Sequence, residues 1–287
     1  MKKLSIIIVT YNSVKHIYDC LKSIFQYNDI GDALEIVIVD NHSKEQSQMF
    51  IAIKEEYRNR VILVDSGKNG GYGFGNNIGV RHCSSDFFIV MNPDVRLVSP
   101  IFKNLIEEFE NSQIGMIGVD FVDGSSAYYY KRGCGTTLSS LFSKYYLKYE
   151  KYDPKRMFLS GSFLVFRKSA FIEADMFDEN IFMYSEEADI INRMLLKGYQ
   201  VRWCPNIKVQ HLAHGRQYNM FLDKIRLQSG RYYDLKYGID SEKVFRTTQT
   251  VLRIKIIVAN LINNKEKANY FKQMLSTLQL FHEEGWK

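Results

Sequence analysis

The sequence predicts an α/β protein: an open, mostly parallel, twisted sheet flanked by helices, with a helical C-terminal extension. Three observations predict it. Short β-branched and aromatic runs with no polar residue, such as Phe87 to Met91, have the character of strands covered on both faces of a parallel sheet. Helical patterns alternate with these runs, and that alternation implies right-handed βαβ units. From about residue 217 only helical periodicity remains, on Phe221, Ile225 and Leu227, then Val244 to Ile262, then Tyr270 to Phe281.

Leu4 to Thr10 is a continuous apolar strand. Tyr11-Asn12-Ser13 supplies turn and capping chemistry before a helix whose apolar face is Ile17, Leu21, Ile24 and Phe25. Glu35 to Asp40 is a second strand, ending in Asn41-His42-Ser43 and followed by a helix to about Tyr57; Val61 to Asp65 is a third. Ser66 to Gly79, with glycines at 67, 70, 71, 73, 75 and 79, reads as a glycine-rich loop running into a helix. There, backbone amides approach a ligand closely and the helix N-terminus favours an anion. Taken as a dinucleotide fingerprint, this loop would make the chain an oxidoreductase. It follows the third strand instead of the first, and its spacing departs from the usual glycine pattern. The next strand, Phe87 to Met91, ends in Asn92-Pro93-Asp94. Pro93 cannot continue a ladder, so Asp94 is delivered just past the carboxyl end of the strand, the edge at which open α/β sheets bind ligands.

Further on, Ser99 to Asn111 reads as a helix and Ile114 to Asp120 as a strand. Ser125 to Tyr152 is tyrosine-rich and without periodicity, a substrate-side excursion. Met157 to Phe166 is expected to form one strand with a close backbone approach at Gly161. A helix follows Ser185, with Ile190, Ile191, Met194 and Leu195 on its apolar face and Gly198 as its stop. On that helix Asp189 and Arg193 are four apart and pair on one face. Tyr199 to Cys204 is a last strand, which Pro205 is expected to end, and His211 comes after it.

Composition narrows the function classes. With 287 residues, 46% of them hydrophobic, the chain builds a real core. The apolar run Ile6 to Val9 is too short for a signal peptide, and no run approaches the roughly 20 apolar residues of a membrane span. Cys20, Cys83, Cys134 and Cys204 lie far apart, which points to a reduced, cytoplasmic protein. The net charge of +6 and the basic C-terminal part are compatible with an anionic small substrate, a membrane surface or nucleic acid.

In order along the chain stand Ser5 to Asn12, Val37 to Ser43, Asn69 to Gly79, Asn92-Pro93-Asp94, Gly161 to Val165, Phe177-Asp178-Glu179, Tyr184 to Arg193 and finally His211. Together these resemble the family-2 glycosyltransferases of the A-type fold, especially bacterial rhamnosyltransferase-like enzymes of polysaccharide biosynthesis. The similarity spans about Leu4 to Arg216. It implies a catalytic domain over 1–216, with a donor-binding half to about 120 and an acceptor-binding half from about 121, and an extension over 217–287.

The resemblance implies inverting, metal-assisted transfer from a nucleoside-diphosphate sugar, dTDP- or UDP-linked, to a saccharide or lipid-linked acceptor in cell-surface polysaccharide synthesis. Nucleic acid is not expected as a partner. The family's acidic pair stands here as Asn92-Pro93-Asp94, which leaves Asp94 as the metal-binding carboxylate for manganese or magnesium, with His211 supporting it. Where many members have Glu-Asp, this chain has Glu186-Glu187; the resemblance selects Glu187 as general base and sets Glu186 and Asp189 toward the acceptor. It places Asp40, Thr10, Tyr11, Asn12 and Asn92 at the nucleotide, and Gly71, Asn76 and Asn77 on the nucleotide-sugar side of the cleft.

Blander readings of the same residues stay open. Asp40, Asn76 and Asn77 serve equally as helix caps, His211 as an exposed loop histidine, and the acidic run at 186–189 as a favourable helix N-terminus. The basic helices read as amphipathic packing on the catalytic domain, as a homo-oligomer contact, or as a peripheral anchor at the inner membrane face through Val251 to Ala259. A non-catalytic sugar-nucleotide or polysaccharide-binding subunit is the competing function, and the presence of every acidic position argues against it.

Overall fold

Strand and helix alternate from the start, as the apolar runs require. The computed structural model describes residues 3–134, 137–142, 145, 149, 151–212 and 218–285. In chain order its strands are β1 (Leu4–Thr10), β2 (Leu34–Asp40), β3 (Ile62–Asp65), β4 (Phe87–Met91), β5 (Val95–Leu97), β6 (Ile114–Phe121), β7 (Tyr128–Tyr130), β8 (Met157–Leu159), β9 (Phe163–Arg167) and β10 (Gln200–His211). The helices are α1 (Val14–Gln26), α2 (Gln46–Tyr57), α3 (Gly71–His82), α4 (Phe102–Glu107), α5 (Thr137–Leu141), α6 (Lys168–Glu173), α7 (Glu186–Leu196), α8 (Met220–Lys236), α9 (Ser241–Leu261) and α10 (Lys265–Glu283).

Contacts divide the chain into two compact units. The first comprises Met1–Tyr129, Phe158–Phe182 and Glu186–Ala213. Its sheet has the order β3-β2-β1-β4-β9-β6-β10-β5. β3, β2, β1 and β4 are mutually parallel, the βαβ arrangement expected. β9 enters antiparallel between β4 and β6, β10 runs parallel to β6, and β5 closes the edge antiparallel to β10. All but β9 and β5 therefore point one way. Every residue of β2 is buried, as is nearly every residue of β1 and β4, because α1 to α3 cover the faces. Next to them Phe88, Phe166, Phe171 and Phe177 pack ring against ring.

The structure departs from the sequence reading at three places. The expected strand Met157 to Phe166 is broken at Ser160-Gly161-Ser162: β8 pairs with β7 in a ribbon while β9 joins the main sheet. The supposed glycine loop is helical from Gly71 onward. Methyl groups at Gly75 and Gly79 would crowd Val9 and Ile7 on β1, so these glycines let α3 lie close on the sheet. That removes the phosphate cradle on which the dinucleotide reading depended. Finally, β10 runs through Pro205 instead of stopping there. Its register with β6 jumps between Cys204 and Lys208, so the bulge sits where proline's missing N–H is not needed, and β10 continues to His211.

The second unit gathers Tyr130–Met157, Met183–Ser185 and His214–Lys287, so the excursion after β7 clusters with the C-terminal helices. Asn219, Asp240 and Asn264 accept the N3 amides of α8, α9 and α10, which fixes where each helix starts. Leu227, Leu252, Leu278 and Phe281 form the unit's core. Arg132 makes a bidentate pair with the fully buried Asp234 of α8. The boundary expected at residue 216 lies outside the described residues. None of the helices among the described residues is long and apolar enough to cross a membrane.

Candidate active site

The parallel register sets Thr10 beside Asp40 at the carboxyl ends of β1 and β2. The buried Asp40 carboxylate accepts from the Thr10 hydroxyl at 2.8 Å, the Ser43 amide at 2.7 Å and the Ser43 hydroxyl at 2.6 Å. Asn12, at φ 50°, donates its amide to Ser43 Oγ at 2.7 Å, and its side-chain oxygen accepts from the Lys44 amide at 3.2 Å. The two strand-end loops are thus lashed together, and Tyr11 stands exposed on the rim. Sequence alone did not single out Ser43 as the residue that joins them.

Asn41 and the start of α3 continue the wall. The Asn41 amide donates to the Gly71 carbonyl at 2.8 Å. Gly71 has φ 90°, and a methyl group there would overlap the Phe182 carbonyl, so only glycine fits. Asn76 donates to Tyr72 O at 3.0 Å with its own Oδ1 buried. Asn77 donates to Phe177 O and Glu179 and accepts from the Phe177 amide, which ties the Phe-Asp-Glu segment to the helix.

The Asn92-Pro93-Asp94 turn is clamped by Arg96, whose guanidinium donates to the carbonyls of Pro93, Val95 and His16. Pairing of β5 with β10 sets His211 opposite Val95, and the Leu212 amide donates to the Asp94 carbonyl at 2.9 Å. His211 Nε2 consequently faces Asp94 Oδ1 at 3.5 Å, with both atoms buried. Its ring leans on Phe121. Neighbouring octahedral ligands of a divalent cation with bonds of about 2.1 Å stand about 3.0 Å apart, so a small shift of either side chain would bring this oxygen and nitrogen onto one cation. Among the described residues, no group of three or more His, Cys, Asp or Glu side chains converges on one point.

Glu186, Glu187 and Asp189 open α7. Asp189 is fully buried and pairs with Arg193 at 2.6 and 2.9 Å, the i to i+4 pair expected from spacing. Arg193 also donates to the Ala174 carbonyl, which fixes the helix. Burial first, and then the neighbouring Glu187 charge, push the Glu186 carboxyl well above the usual glutamate range. Glu186 Oε2 is buried with no hydrogen-bond partner among the described residues, in keeping with a neutral acid. Glu187 is pushed up to about 7, by burial; its own amide and the Gly161 amide, which donate to the carboxylate, hold it from rising further.

The Ser160-Gly161-Ser162 turn is the hub of the site. Gly161 N–H donates to Glu187, the Gly161 carbonyl accepts from the Tyr72 hydroxyl at 2.6 Å, and the Ser162 carbonyl accepts from the Asn92 amide at 2.9 Å. Burial keeps the Tyr72 phenol protonated, so it acts as a donor. One turn therefore links the Asn-Pro-Asp segment, the glycine helix and the acidic helix. Sequence flagged a close approach at Gly161 but missed that Glu187 is what approaches; Tyr72 and Arg96 carried no spacing signal. A methyl group at Gly161 would overlap Glu187 Oε1. Gly161→Ala is expected to lower single-turnover transfer about 100-fold with little change in melting temperature, as misplacing a reacting group by about 1 Å does. Near-native turnover in that variant would show that Glu187 is not held by this turn.

Comparison with known proteins agrees with the motif order. The family model for glycosyl transferase family 2 matches residues 5–174. The low-salt glycan biosynthesis hexosyltransferase Agl10 of Haloferax volcanii is 25% identical over 268 residues, which cover 88% of this chain and 81% of that protein. The N-acetylglucosaminyl-diphospho-decaprenol L-rhamnosyltransferase of Mycobacterium tuberculosis is 25% identical over 240 residues, covering 74% of this chain and 76% of that protein. Among solved structures, the mannosyltransferase PcManGT of Pyrobaculum calidifontis, in complex with GDP-Man and Mn2+, superposes with a TM-score of 0.70 at 13% identity. The superposition covers 99% of this chain and 88% of that one. That likeness bears out the A-type architecture.

Proposed function

The chain belongs to glycosyl transferase family 2 and is a glycosyltransferase, and from that premise we propose an inverting transfer of a hexosyl or rhamnosyl group from a dTDP- or UDP-linked donor to a hydroxyl of a saccharide or lipid-linked saccharide. The observation that supports it is the hub at Gly161, which ties the Asn-Pro-Asp turn to a half-buried carboxylate whose pKa is pushed up to about 7. A base poised at working pH is what acceptor deprotonation needs. The acceptor oxygen attacks the anomeric carbon from the face opposite the diphosphate, forming the new glycosidic bond as the bond to the phosphate oxygen breaks. The hydroxyl proton goes to Glu187.

Asp94 and His211 would hold a divalent cation, manganese or magnesium, which supplies charge stabilisation for the departing diphosphate. Among the described residues these are the two candidate protein donors, so phosphate oxygens of the sugar donor and water would complete such a shell. Thr10, Tyr11, Asn12 and Asp40 line the nucleotide end, with Asn92 at the clamped turn. Gly71, Asn76 and Asn77 shape the donor side through packing. Glu186, neutral beside the base, and Asp189, holding the helix, border the acceptor. In this reading residues to about 120 bind donor, about 121–216 bind acceptor, and 217–287 form an extension.

The Mycobacterium tuberculosis relative is named for a diphospho-decaprenol acceptor, which supports a lipid-linked acceptor here and a cytoplasmic chain working peripherally at the membrane's inner face. A panel of dTDP-rhamnose and UDP-hexoses, assayed for binding and hydrolysis with and without manganese, tests the proposal. One donor should bind and turn over only with metal; no donor binding under either condition would defeat it. His211→Ala should weaken donor affinity or shift the manganese dependence about tenfold or more. Unchanged kinetics at every metal concentration would remove His211 from the site.

A further inference from the structure

Helix α9 carries two apolar faces. Phe245, Leu252 and Ala259 look inward, where Leu252 joins the unit's core. A second stripe, Ile254, Ile257, Val258 and Leu261, has the i, i+3, i+4, i+7 spacing of an amphipathic face and continues into Ile262 of the turn. Ile254 is half-buried and the rest of the stripe stands in water: Ile257 is 58% exposed, Val258 49%, Leu261 78% and Ile262 63%. Within the expected interfacial segment Val251 to Ala259, Val251, Leu252 and Ala259 are buried, and the exposed apolar surface lies toward the hairpin end.

Charge surrounds that end. Arg253 is exposed one turn before Ile257, and Lys265 and Lys267 are exposed just past the turn, with Glu266 the acidic residue between them. We propose that the tip of the α9–α10 hairpin docks on an anionic lipid surface, with Leu261 and Ile262 entering the acyl boundary and Arg253, Lys265 and Lys267 at the headgroups. It rests on the reading that the acceptor is lipid-linked. Large apolar side chains ringed by cations match a negatively charged leaflet. A second copy of the chain fits less well. Two tips would oppose like charges, and four side chains at one helix end fall short of the roughly 800 Å² per partner that a stable pair buries.

The test is sedimentation of the full chain with vesicles of phosphatidylcholine alone and of phosphatidylcholine with phosphatidylglycerol in equal parts. The chain should pellet with the anionic vesicles at low salt and be released as salt rises. The double variant Leu261→Asp, Ile262→Asp should lose about tenfold or more in partitioning, with its melting temperature and donor hydrolysis unchanged. As a second readout, Leu261→Trp should shift its emission to the blue only with anionic vesicles. Native chain left in the supernatant overturns the proposal, as does a double variant that pellets like the native chain. A double variant that changes the oligomeric state while neither chain meets vesicles assigns the stripe to a second copy. No donor or acceptor enters the sedimentation, so a failure there is separate from a failure of the transfer reading, which the donor panel reports.

Discussion

Glu187→Gln is expected to bind donor as the native chain does and to transfer sugar slower by about two orders of magnitude or more. The amide keeps the shape and can still accept from the Gly161 amide, but it cannot take the acceptor's proton. Burial raises the Glu187 carboxyl to about 7, so native transfer should climb as pH rises through that value and the base loses its proton. In Glu187→Gln the limb should vanish from the residual rate. Stability runs the other way. A carboxyl whose folded pKa lies above its unfolded value binds its proton more tightly when folded. Its contribution is full below the ordinary glutamate range and is lost as pH rises through about 7. The slope is at most about 1.4 kcal/mol per pH unit for one group. Glu187→Gln should therefore melt higher than the native chain at alkaline pH and close to it at acid pH. Were Glu186→Gln to lose transfer and Glu187→Gln to keep it, the base would be the other glutamate. If both variants turn over normally, α7 has no part in proton transfer.

Much of this arrangement was legible because parallel strands buried on both faces are written as unbroken apolar runs. β1, β2 and β4 fall where Leu4 to Thr10, Glu35 to Asp40 and Phe87 to Met91 placed them. The Asp189–Arg193 pair was likewise local, a matter of one helical turn. What stayed hidden was set by partners distant in sequence. Pro205 reads as a stop until β6 is there to absorb the bulge. Gly161 reads as a strand glycine until α7 presents Glu187 to it. The glycines of α3 look like a loop because a helix rich in glycine is locally unfavourable; contact with Val9 and Ile7 overrides that propensity. The meeting of His211 with Asp94 depends on β5 turning back antiparallel along β10, and a strand of three residues announces no partner.

Asp94→Ala is expected to abolish metal-dependent transfer and leave the fold intact. The Asp94 carbonyl receives the Leu212 amide, and the turn is held by Arg96 through the carbonyls of Pro93 and Val95. Alanine keeps all of these bonds. Its side chain is partly exposed past the end of β4, where truncation opens no core cavity, so a change in unfolding free energy within about 1 kcal/mol is expected. Its charge is another matter. With Asn92 in place of a second acid, Asp94 is the carboxylate of that turn, and under the proposed metal role its removal would leave His211 alone to hold a cation. Losing a group that stabilises developing charge typically costs about 10² to 10³ in turnover. Asp94→Asn should fail alike, since it restores the shape without the charge. Turnover of each variant measured across a manganese titration, beside its melting temperature, decides the matter. A variant that melts like the native chain and has lost its manganese response fits the assignment. Near-native turnover in Asp94→Ala would mean that the cation is held elsewhere or that the reaction proceeds without one.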